Sequence, residues 1–114
     1  MASTVEEKRN FPRIKIRIPI SCQIKSTHEF NNTVCGDISL GGVGFINNKF
    51  IAPQTPVELE INILSRILRP RGRTKWSTHL SHSDRYRSGI EFLELERKEK
   101  NYLKDFIDLQ IGKL

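Results

Sequence analysis

Between residues 14 and 24 an apolar side chain stands at every second position: Ile14, Ile16, Ile18, Ile20, Cys22 and Ile24. Lys15, Arg17, Ser21, Gln23 and Lys25 fill the gaps. A period of two cannot line one side of an α-helix, so the pattern predicts a long strand with one buried and one wet face. Pro19 falls on the wet face without an N–H to donate, which predicts an edge position or a bend there. Residues 28–32 read as a turn, Thr33 to Ser39 as a second strand running up to Gly41-Gly42, and Gly44 to Asn47 as a short third strand closed by an Asn47-Asn48 turn. Val57, Leu59, Ile61 and Ile63 alternate with Glu58, Glu60 and Asn62 in a fourth. Ile67 to Leu80 reads as a strand interrupted around Pro70 to Gly72, and Tyr86 to Leu93 as another, with Gly89 at a bulge or close approach.

Towards the C-terminus the period changes. Tyr102, Leu103, Phe106, Ile107 and Ile111 recur at spacings of one, three and four among Lys98, Lys100, Lys104 and Asp105, which predicts an amphipathic helix over Glu96 to Ile111. Glu94, Glu96 and Glu99 near its start complement the helix dipole. About six closely spaced strands, with turn residues between them and no helical crossover, predict an all-β antiparallel barrel or sandwich. The single helix would cover an open end or a flank. Met1 to Lys8 has no periodicity and reads as a flexible lead-in to one domain over residues 9–114.

Composition narrows the function. A chain of 114 residues holds one core and has no room for a second, enzymatic domain. No apolar run approaches the roughly 18 to 20 residues of a membrane span, and MASTVEEKRN lacks a signal-peptide core, so a cytoplasmic protein without membrane insertion is expected. Cys22 and Cys35 are then free thiols, Cys22 in phase with the isoleucines of the first strand. Nineteen Lys and Arg against thirteen Asp and Glu, a formal charge of +6, favour anionic partners of any kind. No catalytic residue is assigned: Asp37 and Ser39 lie close together, but His28, His79 and His82 stand in no frame that would supply a base to a serine nucleophile. His79 and His82, three apart in extended chain, fall on opposite faces, so neither a metal site nor another cofactor is expected.

Two clusters carry more specific chemistry. Arg9 and Arg13 bracket Asn10, Phe11 and Pro12 just before the first strand, in a segment that Pro12 keeps from being helical. Guanidinium pairs bidentately with phosphate oxygens and with the O6/N7 edge of guanine, and it stacks on flat rings, so two of them suit a guanine nucleotide. Taken alone, the two arginines also fit a pair of solvated charges. The second cluster is Asp37-Ile38-Ser39-Leu40-Gly41-Gly42. A carboxylate can accept from both N1–H and N2–H₂ of guanine, a hydroxyl can donate or accept, and glycines admit close backbone approach. The same six residues also fit a plain β-turn with local hydrogen bonds and positive φ at the glycines.

Arg9-x-x-x-Arg13 followed by Asp37-x-Ser39-x-x-Gly42 resembles the two-part signature of PilZ domains, bacterial receptors for the second messenger cyclic di-GMP. Gly44-Phe45, Trp76, Gly89-Ile90-Glu91-Phe92 and the closing helix also look like that family, over about Lys8 to Leu109. The resemblance implies a six-stranded antiparallel β-barrel with a C-terminal helix. It implies that Arg9 and Arg13 hold phosphates and guanine edges, that the segment bearing them folds over the ligand, and that Asp37 and Ser39 engage a guanine edge. Gly42 would keep the turn in shape, with Gly41 a further candidate contact. Lys8 occupies a position where family members differ in taking one ligand molecule or an intercalated pair. With no output domain expected on the chain, the signal would pass in trans to an unidentified downstream protein partner, from a monomer or weak dimer.

A rival reading starts from Arg66, Arg69, Arg71, Arg73 and Lys75, a stretch with no acidic residue between Glu60 and Asp84. A small basic barrel of this kind could bind RNA or single-stranded DNA, with Arg9 and Arg13 as phosphate contacts. Trp76 alone, without aromatics interleaved among the cations, makes a poor stacking surface, so nucleic acid is the less favoured partner. A PilZ-like adaptor that binds no nucleotide is the third possibility.

Overall fold

The structure is a computed structural model that describes residues 11–112; Lys8 and Arg9, with the lead-in before them, lie outside the described residues. Its elements are β1 (Ile14–Ile24), β2 (Phe30–Ile38), β3 (Gly42–Asn47), β4 (Pro56–Ile63), β5 (Arg66–Leu68), β6 (Arg71–His79), β7 (Tyr86–Glu94) and the helix α1 (Arg97–Gln110). All strand pairings are antiparallel, in the order β1-β2-β3-β7-β6-β4, and β4 pairs back to β1 to close a six-stranded barrel. The short β5 is no separate stave. Ile61 faces Leu68 and Glu58 faces Arg71, so β5 and β6 follow one edge of β4 in a single register, broken at Arg69-Pro70. Proline has no N–H for the ladder, but its carbonyl still accepts from Leu59 N at 3.0 Å.

The alternation in β1 is realised as expected: Ile14, Ile18, Ile20, Cys22 and Ile24 are buried, with Ile16 packed at the margin of the core. Pro19 pairs with Val34 of β2 just beyond a bulge between Lys15 and Ile18, and pairing with β4 begins only at Ile20, so it stands where β1 has a single neighbouring strand, a local edge of the barrel wall. β2 starts at Phe30, inside the segment that reads as a turn in the sequence, and ends one residue before Ser39. Of the bulge or close approach expected at Gly89, it is the close approach, to Trp76, that Gly89 makes; the bulge lies on the facing strand, where Thr74 pairs with Ile90 and Trp76 with Gly89, leaving Lys75 as the extra residue.

Helix α1 places Leu103, Phe106 and Ile107 in the same core as the strands, and the Tyr102 hydroxyl donates to the Ile63 carbonyl at 3.1 Å. At roughly 1.5 to 3 kcal/mol for each fully buried aliphatic or aromatic side chain, this one core dominates the stability. Cys22 and Cys35 are buried free thiols, and burial pushes the Cys22 thiol up to about 12. Thr74 is also fully buried, and its Oγ1 has no hydrogen-bond partner among the described residues. Removing an unpaired buried hydroxyl relieves a desolvation cost of about 1 kcal/mol or more. Thr74→Val is therefore expected to raise the melting temperature by several degrees, read by circular dichroism; a lower melting temperature would show that the hydroxyl is satisfied in solution.

Candidate functional site

Four strands present one row of residues across the outside of the barrel. Asp37 on β2 faces Gly44 on β3, Gly44 faces Gly89 on β7, and Gly89 faces Trp76 on β6. At about 4.8 Å per strand the row spans some 14 Å. A Cβ built on Gly44 would lie 3.0 Å from Asp37 Oδ1, and one built on Gly89 would lie 2.5 Å from the Trp76 indole. The carboxylate and the indole thus lean inward over two glycines, with a floor of bare backbone between them. A groove of about 600 Å³ opens above this floor, walled by Phe11, Arg13, Ser39, Lys75 and Arg87 as well as by the row itself. Small-molecule sites fall in the range of roughly 300 to 1,000 Å³.

The described part of the first cluster, Phe11 to Arg13, meets the second here. The Arg13 guanidinium is ion-paired with Asp37 across 24 positions of sequence, with the arginine side chain half exposed and the carboxylate less so. Ser39 is 3% exposed, and its Oγ accepts from Gly41 N at 3.0 Å while its own N–H donates to the Gly42 carbonyl at 2.9 Å. Phe11 lies against Gly41, where a Cβ would stand 3.1 Å from the ring, so the segment leading into β1 is seated on the turn that carries the second cluster. Neither Gly41 nor Gly42 has positive φ, which removes the simple-turn account of the glycine pair. Gly42 begins β3 opposite Glu91, and a Cβ there would stand 2.2 Å from the Ile90 carbonyl oxygen: the residue is small because another strand is in the way.

Sequence reasoning left Phe11, Lys75 and Arg87 out of the site, and named Gly44, Gly89 and Trp76 in the family pattern without placing them in it. The signal for Arg87 and Gly89 lay in strand parity, since residues two apart share a face. Lys75 carried no such signal, because the bulge at its position resets parity.

The basic stretch looks different in three dimensions. Arg69 pairs with Glu60 at 3.4 Å, Arg71 with Glu58 and Glu94 at 3.7 and 3.3 Å, and Arg73 with Glu91 at 3.1 Å, while Arg66 lies over the Tyr102 ring at 5.0 Å. Barrel closure brings carboxylates from β4 and β7 alongside cations that have none nearby in sequence. The expected positive field over β5 and β6 is largely neutralised, and with it the main support for a nucleic-acid surface. His79 stacks edge-on against Tyr86, and among the described residues no three His, Cys, Asp or Glu gather as metal ligands.

A family model for the PilZ domain matches residues 7–109. The chain belongs to the PilZ domain family. No curated protein matches it. Solved structures agree on the fold: the Bacillus subtilis inhibitor of motility MotI/DgrA superposes with a TM-score of 0.78 at 17% identity, covering 92% of this chain and 52% of that one. Escherichia coli YcgR in complex with c-di-GMP gives 0.74 at 18% identity, over 93% and 47% of the two chains. The separate PilZ domain of YcgR, also with c-di-GMP, gives 0.63 at 12% identity over 94% and 99%. The chain thus spans about half the length of the first two proteins. Among the described residues of this PilZ domain, no helix is long and apolar enough to cross a membrane.

Proposed function

We propose that this PilZ domain is a receptor for cyclic di-GMP. The observation that carries the proposal is the meeting of Arg13 with the Asp37-Ser39 cluster at one groove, with Arg13 on Asp37 at the end of a glycine-floored row that Trp76 closes. Family membership and the c-di-GMP named in the two YcgR structures support the same ligand. Asp37 would accept from N1–H and N2–H₂ of a guanine, beside Ser39, while Arg13 and Arg9 take phosphate oxygens or the O6/N7 edge, with Lys8 adding phosphate attraction. Binding is then an exchange. Asp37 gives up the Arg13 guanidinium for a guanine edge, and Arg13 turns to the ligand, so the two residues change partners together and the segment before β1 is drawn over the groove. A protein partner reads the reshaped surface, and the signal leaves in trans.

Four or five charge-assisted contacts at about 1.5 to 3 kcal/mol each, less several kcal/mol for ordering the arginine segment, leave affinity near the micromolar range. Calorimetric titration with cyclic di-GMP, GTP and a single-stranded oligonucleotide tests the reading. Saturable heat is expected from cyclic di-GMP alone. Saturable oligonucleotide binding that fades steeply with salt, together with no response to cyclic di-GMP, would replace the proposal with the nucleic-acid reading.

A further inference from the structure

The row from Asp37 to Trp76 has a neighbour on the same face. Two residues from Gly44 along β3 and two from Gly89 along β7, Gly42 faces Glu91, and Glu91 faces Arg73 of β6. Strand parity points Glu91 outward like Gly89, and it borders the same groove of about 600 Å³. The two rows share a composition. Asp37 stands beside Gly44 and is ion-paired with the Arg13 guanidinium, while Glu91 stands beside Gly42 and accepts from Arg73 Nε at 3.1 Å. Both carboxylate side chains are largely covered, Asp37 at 27% exposed and Glu91 at 20%. Two strand steps across and two residues along, their Cα positions are about 12 Å apart.

A second carboxylate in a groove that takes phosphates weakens binding by like-charge repulsion, unless it accepts hydrogen bonds from the same ligand. Lys75, Arg87 and Lys100 on the walls supply an attraction that Glu91 by its charge alone only reduces. Cyclic di-GMP carries two identical guanines, and Asp37 can read one of them. We infer, resting on the receptor reading above, that Glu91 reads the other, its carboxylate accepting from N1–H and N2–H₂ while Arg73 is the positioning residue that aims it. A carboxylate has about four lone-pair sites, so Glu91 can hold Arg73 and a guanine edge together. Adenine is the wrong base for both carboxylates, since its ring N1 brings a lone pair where guanine brings a proton. A ligand with one guanine therefore satisfies one carboxylate and leaves the other facing an acceptor, which makes the groove selective for two guanines.

Calorimetric titration of the whole chain compares cyclic di-GMP with cyclic GMP-AMP, in which one guanine is replaced by adenine and the phosphate linkages are unchanged. Wild type is expected to prefer cyclic di-GMP by about tenfold or more. In Glu91→Gln the side chain keeps its shape, and its amide can donate to adenine N1 and accept from the adenine amino group. That preference should therefore fall about tenfold, through weaker binding of cyclic di-GMP and equal or tighter binding of cyclic GMP-AMP. Arg73→Gln keeps the carboxylate but not its aim, so it should reduce the preference in the same direction and by less; it also serves as the second variant should Glu91→Gln fail to fold. A Glu91 that acts by charge alone gives the opposite sign, because its removal would tighten both ligands alike. Tighter binding of both by Glu91→Gln, or a preference unchanged in the two variants, would overturn the inference while cyclic di-GMP binding by wild type leaves the receptor reading standing. Wild type that binds neither ligand would overturn both.

Discussion

Replacing Arg13 with alanine is expected to weaken cyclic di-GMP binding tenfold or more while the barrel stays folded. The two halves of that statement have different physical grounds. The Arg13–Asp37 pair is half exposed, and exposed ion pairs contribute only about 0 to 1 kcal/mol, so the melting temperature should barely move. A charge-assisted contact to a phosphate or guanine is worth roughly 1.5 to 3 kcal/mol, a loss of about ten- to hundredfold in affinity. Part of this is returned, because Asp37 no longer has to release a guanidinium before it can accept a guanine edge. Arg13→Lys separates charge from shape: lysine keeps the cation but loses the planar fork, so an intermediate affinity is expected. Arg9→Ala should give a loss similar to Arg13→Ala. Titration calorimetry that returns wild-type affinity for both alanine variants would sink the assignment of the arginines.

The largest stability effect belongs to Gly42. In Gly42→Val the new Cβ meets the Ile90 carbonyl oxygen at 2.2 Å, and Ile90 lies in β7, paired to Val43 on one side and to Thr74 on the other. Backbone held between two ladders cannot step aside as a side chain end can. Overpacking costs about 1 to 3 kcal/mol where neighbours can adjust, and here they cannot, so about 3 kcal/mol or more and a fall of 10 °C or more in melting temperature are expected. A Cβ built on Gly72 would stand 2.3 Å from the next carbonyl oxygen of β7, that of Glu91, so glycines on both neighbouring strands let β7 sit close in the curved wall. Gly36→Ala is the control, with nothing within 4 Å of its built Cβ. Thermal melts placing Gly42→Val within a degree or two of wild type would remove the packing explanation. They would leave a direct contact to the ligand as the reason for a glycine. Loss of ligand binding by the valine variant is otherwise a consequence of a displaced β3 and no evidence that Gly42 touches nucleotide.

The sequence by itself determined the element types and their order. Alternation from Ile14 to Ile24 and from Val57 to Ile63 is a local consequence of strand geometry, as is the three-and-four spacing from Tyr102 to Ile107, and each can be read without knowing any neighbour. The Arg9/Arg13 and Asp37/Ser39/Gly42 clusters were legible for the same reason, since the chemistry of a guanidinium or carboxylate belongs to the residue. Partnership was not legible. The pairing of Arg13 with Asp37, the cancelling of Arg69, Arg71 and Arg73 by glutamates of β4 and β7, and the leaning of Trp76 over Gly89 all join residues far apart in the chain. Strand register decides them, and register depends on turn geometry and on bulges such as those in β1, β2 and β6, which join strands that only the folded chain brings together. Tertiary structure alone also showed why Gly42 is a glycine: the Ile90 carbonyl of the neighbouring strand occupies the space a side chain would need.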